Sequence, residues 1–170
     1  MISKKNVVLL GMMGVGKTTI GKQLSKKLGK NFFDIDQIIE KINNMKINEI
    51  FEKKGEKFFR NEEESISLEY LSKKNAIISL GGGAFLNEKI RKKVLLENKS
   101  FWLTIDVETL KNRLIKNKKR PLINKNGIHN IDKLIEKRKK IYCLANYEIK
   151  CEKLTINQIS DKIIELYENP

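Results

Sequence analysis

The chain has 170 residues, of which 40% are hydrophobic and 33% are charged, and this predicts a single domain, residues 1–170, with its own core. No apolar run is long enough to span a membrane, and no charged-then-apolar leader indicates secretion, so neither class is expected. The net charge of +14 comes from lysines dispersed along the chain without interleaved aromatic residues, which does not favour nucleic acid as a partner.

The first predicted elements are a buried strand, a glycine-rich loop and a helix. The strand is predicted over Asn6–Leu10, and the helix over about Lys17–Leu28 with Gly29 ending it. Between them, residues 11–18 read GMMGVGKT, which matches the phosphate-binding loop G-x-x-x-x-G-K-[ST] in its strand–loop–helix context. In such a loop the lysine reaches the β- and γ-phosphates and the hydroxyl of the next residue ligates Mg²⁺. The phosphate contacts are therefore assigned to Gly14, Val15, Gly16, Lys17, Thr18 and Thr19.

A second strand and a helical insertion follow. Phe32-Phe33 is predicted as a short strand, and the acidic pair Asp34 and Asp36 lies at its carboxyl end, where a doubly wound sheet places its ligand loops. The pattern is then helical to about residue 74, and three helices exceed a simple crossover. We therefore expect residues 34–74 to form an inserted substrate-binding region.

The remaining elements complete an α/β domain. A third strand, Ala76–Leu80, ends in three glycines at 81–83, and the helix that begins at Val107 fades into a basic loop. Because this loop is long and polar, residues 116–127 are predicted to be a mobile lid over phosphates. The other predicted elements are a helix around Glu88–Leu96, a strand at Phe101–Ile105, a helix at Ile131–Leu144, a strand at Glu148–Cys151 and a helix at Ile156–Tyr167. The sum is a three-layer P-loop fold with a five-stranded parallel sheet.

The cysteines favour an intracellular compartment. Cys143 and Cys151 are spaced as neither a metal site nor a redox motif, and the single His129 excludes a Cys/His zinc site. Two incidental thiols are typical of a reducing environment, so we expect a cytoplasmic protein.

The arginines are informative because lysine is the default cation of this chain. Arginine is expected where a planar, two-pronged donor must hold a carboxylate or a phosphate. The alternative for each is a surface salt bridge. The five positions are Arg60, Arg91, Arg113, Arg120 and Arg138.

Four short motifs, taken with the P-loop, resemble the shikimate kinase family in order and spacing. The resemblance runs from about Val7 to Ile164 and implies a nucleoside monophosphate kinase-like fold. It also implies Mg²⁺-dependent transfer of the ATP γ-phosphoryl group to the 3-hydroxyl of shikimate, a step of aromatic amino-acid biosynthesis. A monomer is expected, although the sequence does not reveal the oligomeric state. The motifs are Phe33–Asp36, Gly55–Arg60, Leu80–Ala84 and Arg120–Leu122.

The resemblance implies an acceptor site. Arg60 and Arg138 would hold the carboxylate of shikimate, and Gly82 would contact the substrate through its backbone. Asp36 would orient the 3-hydroxyl and accept its proton. Glu63, one turn after Arg60, either orients that guanidinium or belongs to a solvated helix face.

The resemblance also implies roles around the nucleotide. Asp34 would support one Mg²⁺ through a water, beside Thr18. Arg120, on the lid, would close onto the transferring phosphates and act in catalysis with Lys17 and Asp36. Arg113 would lie near the adenine of ATP.

The chain departs from the family near the adenine, and two other functions stay open. Lys150 and Cys151 stand where the family usually has an aspartate–threonine pair. One alternative is another small-molecule P-loop kinase, acting on gluconate or a nucleoside monophosphate. The other is a P-loop protein whose basic surface binds RNA. The acidic pair and the carboxylate-ready arginines favour a hydroxylated acid as acceptor.

Overall fold

The middle layer of the protein is a five-stranded parallel sheet. The computed structural model describes residues 5–116 and 131–169. All four strand pairings are parallel, and the spatial order is β2-β3-β1-β4-β5. This confirms the α/β fold class. The strands are β1 Val7–Leu10, β2 Asn31–Asp34, β3 Ala76–Ser79, β4 Lys99–Thr104 and β5 Tyr147–Lys150.

Seven α-helices cover the sheet within the described ranges, and none of them has the length and apolarity needed to cross a bilayer. A short 3-10 helix at Ala84–Leu86, which the sequence pattern did not predict, follows β3. The helices are α1 Lys17–Leu28, α2 Ile35–Asn43, α3 Ile47–Leu71, α4 Glu88–Glu97, α5 Val107–Lys116, α6 Ile131–Tyr142 and α7 Ile156–Glu168.

The central strand shows how the two cores are divided. All four residues of β1 are buried, because helices cover both faces of a parallel sheet. Val7 and Leu9 point to the core beneath α1 and α7, whereas Val8 and Leu10 point to the core beneath the other helices. This alternation follows from the two-residue period of a strand.

The helical insertion contains one long, kinked element. Gly55 interrupts α3 with a non-helical backbone, φ 84° and ψ 165°, so the chain has a helix on each side of it, as the pattern predicted. The kink brings the rings of Phe51 and Phe59 to a centroid distance of 4.7 Å. Arg60 follows directly after this aromatic pair.

Because the strands are parallel, their carboxyl ends all lie at the same edge of the sheet, and so do the connections that follow them. The P-loop follows β1, Asp34 ends β2, and the three glycines follow β3. The predicted element ends agree with the structure to within two residues, except that the helical pattern predicted to about residue 74 ends at Leu71. The predicted lid lies outside the described residues except for Lys116, which ends α5.

Gly21 lets α1 lie directly on β2, and this contact generates a stability prediction. A Cβ at Gly21 would lie 2.1 Å from Cε2 of Phe32. We expect Gly21→Ala to lower the free energy of unfolding by about 1–3 kcal/mol, because the ring or the helix must shift. In a Phe32→Ala background the same change should be neutral, or stabilising by up to about 1 kcal/mol, because alanine favours a helix.

Urea unfolding of the two single variants, the double variant and the wild type measures this coupling. An equal effect of Gly21→Ala in both backgrounds would contradict the contact.

Candidate active site

The P-loop is built to bind an anion. Gly14 and Gly16 have left-handed backbones, φ 83° and 108°, which favour glycine. Gly16 precedes α1 without a side-chain cap, and the first turn of α1 has no acidic residue, so its N–H groups are available to phosphate. Val15 is 3% exposed and packs into the core, so only its backbone faces the loop, whereas Thr19 is exposed.

The Lys17 ammonium group lies over the same loop. Its Nζ donates to the carbonyl oxygens of Gly11, at 2.8 Å, and Met12, at 3.1 Å. These bonds hold the charge at the loop. Phosphate oxygens accept more strongly than carbonyl oxygens, so a bound phosphate can replace them.

Thr18 and Asp34 meet where a metal ion is predicted. The Thr18 hydroxyl donates to Oδ2 of Asp34 at 2.6 Å, while Oδ1 of Asp34 accepts from the backbone N–H of Gln37 at 3.3 Å. Asp34 is therefore also the N-cap of α2. Within residues 5–116 and 131–169 no three His, Cys, Asp or Glu side chains cluster as a metal cage. One carboxylate and one hydroxyl fit Mg²⁺, which usually keeps waters and shares phosphate oxygens.

A cavity of about 570 Å³ opens beside this pair and extends towards the helical insertion. Thr18 and Asp34 line one part of it, and Phe51 and Phe59 supply aromatic wall. The phosphate side and the acceptor side are thus parts of one cavity. Its other charged lining includes Asp36, Arg60, Glu63 and Arg138.

The three glycines after β3 allow these four charged groups to converge. None of the three has a positive φ, so close approach is what requires them. A Cβ at any of them would lie within 3.0 Å of a charged side chain. The nearest atoms would be Asp36 Oδ1 and Glu63 Oε1 at Gly81, both 2.6 Å, Arg138 Nη1 at Gly82, 3.0 Å, and Arg60 Nη1 at Gly83, 2.7 Å.

Glu63 orients Arg60. Its Oε2 lies 2.6 Å from Nη1 of Arg60, and the Glu63 side chain is only 3% exposed. Burial raises the pKa of Glu63, and the positive charge of Arg60 opposes that shift. The alternative of a solvated face is therefore wrong for Glu63.

Arg138 is a buried cation with spare donor capacity. Its residue is 2% exposed, and Nη1 lies 3.6 Å from the sulfur of Met12. Its Nε has no acceptor among the described residues. Burial lowers the pKa of Arg138, although an arginine stays charged at neutral pH. A buried donor without an acceptor is costly, and a ligand oxygen in the cavity would satisfy it.

The other arginines divide between the P-loop and the scaffold. Nη1 of Arg113 lies 3.4 Å from the carbonyl of Gly14 and 3.3 Å from that of Val15, so it sits on the outer side of the P-loop. Arg91 donates to the carbonyls of Phe85 and Leu86 and holds the 3-10 helix. Arg120 lies outside the described residues.

Tyr142, which contacts the glycines after β3, was not among the predicted site residues, and neither were the cavity-lining Phe51 and Phe59. Tyr142 is 1% exposed, and its hydroxyl donates to the carbonyl of Gly82. Burial raises its pKa to about 12, so the phenol stays protonated. The available signal is position, because Tyr142 lies four residues after Arg138 and therefore on the same helix face.

Comparison with known proteins agrees with this geometry. The shikimate kinase family model matches residues 13–168. The shikimate kinase of Bacillus licheniformis is 41% identical over 97% of this chain and 94% of its own, and that of Bacillus subtilis is 42% identical over 96% and 89%. The structure of shikimate kinase from Acinetobacter baumannii in complex with shikimate has a TM-score of 0.91 at 32% identity, covering 97% of this chain and 93% of its own. Because the matches span almost the whole length, the chain belongs to the shikimate kinase family.

Proposed function

We propose that the protein transfers the γ-phosphoryl group of ATP to the 3-hydroxyl of shikimate, giving shikimate 3-phosphate and ADP in aromatic amino-acid biosynthesis. The observation that carries this proposal is the single cavity, which joins the Thr18–Asp34 pair to Asp36 and two arginines. Shikimate is a small acid with three hydroxyls. It needs cationic groups for its carboxylate and an acceptor beside the attacking hydroxyl, and this cavity offers both.

On the phosphate side, Lys17 and the N-terminus of α1 hold the β- and γ-phosphates, with backbone N–H groups of the P-loop around them. Thr18 and Asp34 would hold Mg²⁺. The bound ion would neutralise charge on the phosphate oxygens. Arg113 would contact the nucleotide from the rim of the loop. The sequence alone suggests that residues 116–127 form a lid and that Arg120, within this lid, closes onto the same phosphates.

On the acceptor side, Arg60 and Arg138 hold the carboxylate and thereby fix the ring. Asp36 orients the 3-hydroxyl and takes its proton as the new O–P bond forms. The bond from the γ-phosphorus to the bridging oxygen breaks in the same step, and ADP leaves with that electron pair. The rate comes mainly from positioning and charge neutralisation. We further expect a cytoplasmic monomer without a nucleic-acid partner.

An ADP-release assay with shikimate, gluconate, AMP and CMP tests the acceptor. We expect turnover with shikimate only. AMP and CMP have no carboxylate for the arginines, and the family to which the chain belongs favours shikimate over gluconate. Turnover with another acceptor but not with shikimate would overturn the proposal. RNA binding with a steep salt dependence and no acceptor-dependent turnover would favour a binding protein instead.

Lys17→Ala is the control variant for that assay. We expect it to lower turnover by about 10²–10³-fold, because it removes one charged donor from the developing phosphate charge. An unchanged rate would show that ADP release arises from a contaminating enzyme or that Lys17 does not reach the phosphates.

Arg60→Lys tests the carboxylate contact. Lysine keeps the charge but loses the planar fork that Glu63 orients, so we expect the KM for shikimate to rise about 10–100-fold with the KM for ATP unchanged. Arg91→Lys is the matched control, because Arg91 bonds only to Phe85 and Leu86 carbonyls among the contacts described. A similar rise in KM for both variants would argue against the assignment.

Asp34→Asn tests the metal site without removing the helix cap, because asparagine caps a helix as well as aspartate does. We expect the Mg²⁺ concentration for half-maximal rate to rise about 10–100-fold, since the ligand loses its charge. Asp132→Asn is the control, as Asp132 forms a surface ion pair with Lys111. An unaltered Mg²⁺ dependence in Asp34→Asn would contradict the site.

A further inference from the structure

Helix α6 contacts Gly82, in the three glycines after β3, through two side chains that lie one helical turn apart. The Tyr142 hydroxyl donates to the carbonyl of Gly82. Nη1 of Arg138 lies so close to the same residue that a Cβ on Gly82 would be 3.0 Å from it. The two side chains therefore hold Gly82 from the same helix face.

The bond to Gly82 fixes more than a carbonyl. A peptide is planar, and its C=O and N–H point in opposite directions, so holding the Gly82 carbonyl sets the direction of the Gly83 N–H. In the part of the chain that the structure describes, neither the Gly82 N–H nor the Gly83 N–H has an acceptor. Both residues line the cavity, so these two donors remain for a ligand.

Tyr142 itself is held firmly. Its ring packs against that of Trp102, with centroids 5.9 Å apart, and the residue is 1% exposed. The ring therefore has little freedom to move away from the Gly82 carbonyl. Removing the hydroxyl would take away the donor of that part-buried carbonyl and free the peptide to turn.

We propose that Tyr142 is a positioning residue for the acceptor, holding the Gly82–Gly83 peptide beside Arg138 so that backbone N–H groups and guanidinium form one preformed surface. The surface suits a small carboxylated and hydroxylated acid, because such a ligand offers several acceptor oxygens at once. This inference rests on the proposed function. It assigns Tyr142 to acceptor binding and not to nucleotide binding.

Tyr142→Phe tests the inference, with Tyr167→Phe as the matched control. Tyr167 is also fully buried, and its hydroxyl donates to the backbone carbonyl of Lys5 at 2.6 Å, just before β1 and thus at the opposite edge of the sheet. Each variant removes a hydroxyl that donates to a backbone carbonyl, and Tyr142→Phe also removes the hydroxyl beside the Arg138 guanidinium. Both should therefore lower the melting temperature, so stability alone does not distinguish them.

Calorimetric titration with shikimate and, separately, with ADP distinguishes them. We expect the Kd for shikimate to rise about tenfold in Tyr142→Phe and less than twofold in Tyr167→Phe, with the Kd for ADP unchanged in both. Equal loss of shikimate affinity in the two variants, or parallel loss of ADP affinity in Tyr142→Phe, would reduce Tyr142 to a structural residue.

Hydrogen exchange in the wild type needs no variant. Shikimate, but not ADP, should protect the amides of Gly82 and Gly83, and absence of that protection would overturn the inference. Failure of the proposed function is separate, because it would appear as wild-type protein that neither binds nor phosphorylates shikimate. The same comparison of the two tyrosines would then be made with the acid that the wild type does phosphorylate.

Discussion

The close approach of charged side chains to the glycines after β3 is the constraint on which the site depends. Two carboxylates and two guanidinium groups surround three residues that have no side chains. Within this group Glu63 is committed to Arg60, so their charges largely cancel. Arg138 is buried and keeps an unpaired Nε, and a buried charge needs a partner. An oxygen of a carboxylated ligand in the cavity would accept from that Nε.

The two aspartates around the start of α2 have different neighbours because they belong to different elements. Asp34 ends β2, faces Thr18 and caps the helix. Asp36 lies in the first turn of α2 and faces Gly81. A separation of two residues across a strand-to-helix boundary is therefore enough to direct one carboxylate to Thr18 and the other to the glycines after β3.

The parts of the fold that depend on local pattern were predictable, and those that depend on tertiary register were not. The predicted range of α1, Lys17–Leu28, is the observed one, because the preceding P-loop, the apolar stripe and the final Gly29 are local signals. Glu63 lies in an acidic run, and only the register of α3 after its kink decides which member is buried. The spacing of four residues from Arg138 places Tyr142 on the same helix face, but its contact with Gly82, 60 residues away in sequence, depends on the tertiary structure.

Gly82 is also where the two halves of the cavity meet. A Cβ there would lie 3.0 Å from Nη1 of Arg138 and 3.4 Å from the backbone nitrogen of Met13, in the P-loop. The residue therefore separates the acceptor cation from the phosphate loop by no more than a backbone. Phosphoryl transfer needs the reacting atoms about 3–3.5 Å apart and in line. A side chain at this point would collide with Arg138 and crowd the P-loop backbone, so the missing side chain is what lets the two lie so close together.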